Sequence, residues 1–128
     1  MEIKVRVTYP QDKVLEFEAD GKNGLFPMLD ECWAFLNRKG ETNYFLDKHK
    51  ARSSMVGDIY EITCDGITRY FICDSMGFKE VDKNFANEWE KLPHAKRMMG
   101  LDFAERQGFI QSETVFVTPG DFGEEQTA

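Results

Sequence analysis

The stretch Asp58-Ile-Tyr-Glu-Ile-Thr-Cys64, Asp65-Gly66, Ile67-Thr-Arg-Tyr-Phe-Ile-Cys73 decides the fold. Two runs rich in β-branched and aromatic residues flank an Asp-Gly pair. A two-residue type I′ turn needs positive φ at both central positions, which is why Asp-Gly between such runs signals a hairpin. A turn of that length fixes the register, so Cys64 faces Ile67 and Cys73 faces Asp58. Tyr60, Ile62, Cys64, Ile67, Phe71 and Cys73 then share one face, with Glu61, Thr63 and Thr68 on the other. Cys64 and Cys73 lie at opposite ends of the ladder, too far apart for a disulfide.

Downstream, Asp74-Ser75-Met76-Gly77 has the chemistry of a tight turn into a short strand from Phe78 to Val81. Upstream, Glu2 to Tyr9 alternates strictly: Ile3, Val5, Val7 and Tyr9 on one side, Glu2, Lys4, Arg6 and Thr8 on the other. Pro10-Gln11-Asp12 reads as a turn, and Val14 to Ala19 resumes the alternation with Leu15, Phe17 and Ala19 inward, giving an antiparallel hairpin. Asp20-Gly21 and Asn23-Gly24 interrupt the sheet. From Leu25 to Lys39 the residues Leu25, Met28, Leu29, Cys32, Trp33, Phe35 and Leu36 recur at helical spacing. Pro27 suits the first turn, and Arg38, Lys39 and Gly40 mark the stop. Residues 40–55 show no sustained period and read as the longest loop. Phe85, Trp89 and Leu92 predict a short helix ending near Pro93, and a further helical piece runs from His94 to Gln107, weakened by Gly100. Ser112 to Thr118 reads as a last strand.

The expected architecture is therefore α+β: an antiparallel sheet of about five strands, with one long helix packed on a face and two short C-terminal helices beside it. The 128-residue chain suits one core, assigned to residues 1–118, with 119–128 as a flexible acidic tail. Hydrophobic residues make up 41% of the chain and aromatics 13%, enough to build that core. Sixteen basic against 23 acidic residues give a net charge of −7, which argues against non-specific nucleic-acid binding through clustered Lys and Arg. The start MEIKVRVTY lacks the apolar core of a signal peptide, and no run approaches a membrane span. A cytoplasmic protein with no membrane partner is expected, and its odd set of cysteines, Cys32, Cys64 and Cys73, reads as reduced and buried.

Chemistry is sparse in this sequence. His49 and His94 stand apart, no Cys-x-x-Cys pair occurs, and no metal or cofactor is expected. Cys73-Asp74-Ser75 lacks a nucleophile elbow, and neither Ser53-Ser54 nor Ser75-Met76-Gly77 forms a phosphate-binding loop, so no catalytic residue is assigned. The basic run Lys48-His49-Lys50-Ala51-Arg52 and the Lys96-Arg97 pair read as local solubility charge or a small anion patch.

Ser53-Ser-Met-Val-Gly-Asp-Ile59 and Tyr70-Phe-Ile-Cys-Asp-Ser-Met-Gly-Phe78 together resemble the YodL-like domain. In that family a serine-containing approach leads into a strand, a hairpin, and an aromatic strand ending in Asp-Ser-x-Gly-Phe. The likeness spans residues 53–78, a fifth of the chain. It implies an accessory protein of a phage, plasmid or firmicute mobile element, with no assigned catalytic chemistry. Arg52, Ser53, Asp74, Ser75 and Gly77 are the candidate binding residues, although Asp74, Ser75 and Gly77 can also serve the turn itself. The leading expectation is a non-enzymatic protein that binds and modulates a bacterial host protein, a defence nuclease being one candidate. Two alternatives stand beside it. One is a small ligand-binding or enzymatic domain whose cleft lies between the 40–55 loop and the Asp74–Gly77 turn, and the other is an acidic mimic of nucleic acid. Oligomeric state is left open.

Overall fold

A computed structural model describes residues 2–9, 13–37 and 42–110. The strands are β1 (Glu2–Thr8), β2 (Val14–Asp20), β3 (Ile59–Cys64), β4 (Ile67–Asp74) and β5 (Gly77–Val81). They form one antiparallel sheet in the order β2-β1-β3-β4-β5, so the fold is α+β as the alternating patterns predict. The Asp-Gly turn follows the sequence reading closely: Cys64 pairs with Ile67, and Asp65 and Gly66 take φ of 52° and 80°. Cys73 donates its amide to the Asp58 carbonyl at 3.0 Å, which fixes the other end of the register.

Alternation along the strands gives the sheet two apolar faces, and helices cover both. On one face, Ile3, Val5, Val7, Tyr60, Ile62 and Phe71 meet α1 (Leu25–Phe35) through Leu25, Met28, Leu29 and Cys32. α1 reaches from β2 across to β5. On the other face, Ile59, Ile72 and Val81 meet Phe85, Ala86 and Trp89 of α3 (Lys83–Glu90) and Leu101 and Ala104 of α5 (Leu101–Arg106). The C-terminal helices thus lie opposite α1 rather than beside it. This second layer covers β3 to β5; on the β2-β1 side the same face carries exposed Lys4, Arg6, Glu16 and Glu18.

Several element ends differ from expectation, each for a long-range reason. α1 stops at Phe35 instead of Lys39, because Asn43 Nδ2 donates to the Phe35 carbonyl at 2.7 Å and the Ser54 amide to the Leu36 carbonyl at 2.7 Å. These bonds satisfy terminal carbonyls that further helix would otherwise use. The expected stop at Arg38, Lys39 and Gly40 lies outside the described residues, as do the Pro10–Asp12 turn, the Ser112–Thr118 strand and the acidic tail. The 40–55 loop contains a short helix, α2 (Tyr44–Lys48), capped by the Asn43 side chain, which accepts from the Leu46 amide at 2.9 Å. The expected 94–107 helix divides into α4 (His94–Arg97) and α5, because Gly100 takes φ of 91°. α3 begins as read, with Asp82 accepting from the Phe85 amide at 2.8 Å.

A buried ion pair joins β4 to β5. Arg69 grips Glu80 through Nε and Nη2 at 2.9 and 2.7 Å, and both side chains are largely covered. Such a pair adds little net stability, because desolvation offsets attraction, but breaking it would strand a buried charge. Its bidentate geometry favours one pairing register between these strands.

Candidate functional site

Residues 52–58 pass beneath the end of the sheet, and their polar groups turn inward. Asp58 has no solvent exposure. Its carboxylate accepts from Arg52 Nη1 and Nη2 at 3.1 and 2.8 Å, from Ser54 Oγ at 3.0 Å and from the Met55 amide at 2.9 Å. Tyr60 Oη donates to Ser54 Oγ at 2.7 Å, extending the chain of bonds into the α1 core. Burial pushes the Tyr60 hydroxyl well above its ordinary pKa, so it remains a neutral donor. Arg52 also donates to the Ser53 carbonyl at 2.7 Å and stacks over the Tyr9 ring at 4.5 Å.

The second half of the resemblance meets the first here. The Gly57 amide donates to the Cys73 carbonyl at 2.8 Å, and Trp89 Nε1 donates to the Gly57 carbonyl at 3.0 Å. Gly57 is needed for two reasons: its φ is 101°, and a Cβ there would lie 2.8 Å from the Arg97 backbone carbonyl carbon. Asp74 is buried and accepts from the Leu101 amide at 3.2 Å, at the start of α5. Ser75 and Met76 form the exposed turn, and Gly77, at φ of 102°, returns the chain into β5. Of the five candidate residues, Arg52, Ser53 and Asp74 are thus engaged in internal bonds, while Ser75 and Gly77 sit on the surface.

The Lys96-Arg97 pair, expected as solubility charge or a small anion patch, is split by the structure: Lys96 is exposed and Arg97 is buried. Arg97 Nε and Nη1 find no hydrogen-bond partner among the described residues, and burial lowers its pKa despite the nearby carboxylates of Asp58 and Glu90. Burial likewise pushes the Cys32 and Cys73 thiols up to about 12, so both stay protonated and poorly nucleophilic near neutral pH. All three cysteines are free and buried. Among the described residues no group of three or more His, Cys, Asp or Glu side chains is placed to hold a metal ion, and no helix is long and apolar enough to cross a membrane.

Two surface features stand outside this network. The first is a polar cleft on the open sheet face, with a volume of about 410 Å³, between Lys4, Arg6, Glu16, Glu18 and Glu61. Glu61 lies 3.8 Å from Arg6, and burial nevertheless raises its pKa, the guanidinium only partly opposing the shift. Acids and bases interleave on this face, so it does not present the one-sign surface that nucleic-acid mimicry requires.

The second is an aromatic cluster at the β2 edge. Phe35 of α1 lies 5.1 Å from Phe17 of β2 and 5.0 Å from Phe45 of α2, and the Phe45 ring lies 4.7 Å from His49. Phe35 is 44% exposed, and Tyr44, which precedes Phe45 in α2, is 82% exposed. A hollow of about 210 Å³ opens beside the cluster, between β2 and α1. Helical spacing puts Phe35 in the apolar series of α1. It lies on the flank of α1 that overhangs the sheet edge. Comparison of the chain with protein-family models, with curated proteins and with solved structures gives no match.

Proposed function

We propose that this protein is a non-enzymatic accessory protein of a phage or mobile element, which binds and modulates a bacterial host protein, a defence nuclease being the candidate target class. The observation that carries the binding reading is the distribution of side chains at its surface. Phe17, Phe35, Phe45 and His49 are gathered at one edge, with Phe35 exposed, while three of the five residues singled out by the sequence, Arg52, Ser53 and Asp74, are engaged in internal bonds. A cluster of partly exposed aromatic rings is a common mark of protein contact, because rings supply large area at low entropic cost. The mobile-element origin rests on the likeness of residues 53–78 to the YodL-like domain, and the host target on that likeness together with the small size, the acidity and the lack of a catalytic constellation in the sequence.

The alternative of a ligand-binding or enzymatic cleft between residues 40–55 and the Asp74–Gly77 turn is weaker. Arg52 and Asp74, the charged groups it would use, are already hydrogen-bonded within the fold.

Affinity purification from a bacterial lysate, with the wild-type chain and with Phe35→Glu run side by side, tests the proposal. A stoichiometric host protein should co-elute with wild type and be lost with Phe35→Glu, while the melting temperature of the variant stays near wild type. Elution of the wild-type chain alone at moderate salt, or a partner indifferent to Phe35→Glu, would reject the aromatic edge as the contact.

A further inference from the structure

Resting on the binding reading above, we infer that the outer edge of β2 accepts an extended, basic and apolar segment of the partner as an added strand, with one apolar side chain seated in the hollow between β2 and α1. Among the described residues β2 is an edge strand, paired only with β1. Its seven residues run in unbroken register from Glu2↔Asp20 to Thr8↔Val14, so its outward amides and carbonyls are set at regular ladder spacing. Proteins blunt such edges by shortening them or by placing charged side chains, Lys above all, Pro or a bulge there. β5, the opposite edge, is five residues long and carries Lys79. β2, Val14-Leu-Glu-Phe-Glu-Ala-Asp20, has no Lys, Pro or bulge, and the charges it does carry, Glu16, Glu18 and Asp20, are all acidic, so they bar an acidic strand and not a basic one.

Charge selects among occupants. Lys4 and Arg6 of β1 pair with Glu18 and Glu16 from the inner side of β2, but the strand at the edge itself carries only acids, Glu16, Glu18 and Asp20, with Glu31 of α1 also lining the hollow there. A second copy of this chain would set carboxylates against carboxylates, which destabilises cross-strand pairing. A strand with Lys or Arg at alternate positions would meet them favourably. The hollow supplies the other half of the pattern: Phe17, Met28, Cys32 and Phe35 form its apolar wall, with Glu18 and Glu31 at the rim. At about 210 Å³ it exceeds the ~150 Å³ apolar cavity that accepts a benzene ring, so it has room for one large apolar side chain. Successive side chains of an added strand point to opposite faces, so alternating basic and apolar residues satisfy the acids and the hollow together.

The test titrates a short synthetic peptide of alternating lysine and valine with a central leucine into the full-length chain, followed by backbone amide NMR. Shifts concentrated on residues 14–20 and on the facing residues of α1 are expected. Affinity should fall at least about tenfold for the same peptide with glutamate in place of lysine, for a backbone N-methylated version, and for Glu18→Lys with the original peptide. Unmoved β2 amides, equal binding of the glutamate peptide, or concentration-dependent dimerisation of the chain through β2 would each overturn the inference. Loss of a captured partner on Phe35→Glu together with unmoved β2 amides would leave the binding reading standing and remove strand addition alone. Failure of both experiments removes both.

Discussion

A carboxylate with no solvent exposure must find its stabilisation inside the protein, and Asp58 finds it in Arg52, Ser54 and the Met55 amide. Asp58→Ala leaves those donors without their acceptor, and because Arg52 stays partly exposed we expect a loss of about 3 kcal/mol, at the low end for a broken buried pair. Asp74→Ala removes one bond at the start of α5 and should cost about 1 kcal/mol, the usual worth of a cap. Urea unfolding reads both, and wild-type midpoints for either variant would argue that the residue is not scaffold. Glu61 behaves in the opposite sense. Its raised pKa means the folded protein holds its proton more tightly than the unfolded chain, so its contribution is present below the ordinary glutamate range and lost as pH rises through the folded value. Glu61→Gln should therefore raise the melting temperature at neutral pH, with the gap closing as pH falls below that range. A gap independent of pH would assign the effect to something other than titration.

At the scale of elements, local chemistry was legible and distant capping was not. Asp65-Gly66 dictates its own turn, so the β3–β4 hairpin and its register followed from the run Asp58 to Cys73 alone. The end of α1 depends on Asn43 and Ser54, which no periodicity within the helix could reveal. α2 left only a faint signal, Asn43 ahead of Tyr44-Phe45-Leu46, because five residues are too few to show a period. Glycines separate the two situations. Gly66→Ala meets open space at φ of 80° and should cost about 1 kcal/mol from backbone strain alone. Gly57→Ala adds a clash with the Arg97 backbone 2.8 Å away, and should cost about 1–3 kcal/mol more, the usual range for overpacking. Equal losses in urea would mean that the α4 approach to Gly57 yields readily.

At the scale of the molecule, one sheet carries a core on each face. Trp33 packs against the α1 core and Trp89 lies within the opposite one, so each of the two tryptophans reports on one layer. Because β3 and β4 contribute to both cores, the layers should melt together: Trp33→Phe and Trp89→Phe chains should show the same urea midpoint by fluorescence, once each is corrected for its own stability by circular dichroism. Fluorescence and circular dichroism that part company in either chain would mean that one layer opens alone. The same architecture explains why the aromatic edge was not legible in the sequence. Helical periodicity identifies the apolar side of α1, but it carries no information about where the sheet beneath it ends. Phe17, Phe35 and Phe45 become neighbours because β2 is that end among the described residues.

The segment from Arg52 to Asp58 has a kinetic consequence. Its bonds run to Leu36, Cys73 and Trp89, which lie far apart along the chain and on both sides of the sheet. Those partners must already be in place before the segment can lock, so it should close after the folding barrier has been crossed. Asp58→Asn is then expected to speed unfolding while leaving the refolding rate close to wild type in stopped-flow chevrons, and a refolding limb that slows in proportion to lost stability would put the segment in the nucleus instead. On this account, residues 52–58 govern how long the native state lasts more than how fast it forms.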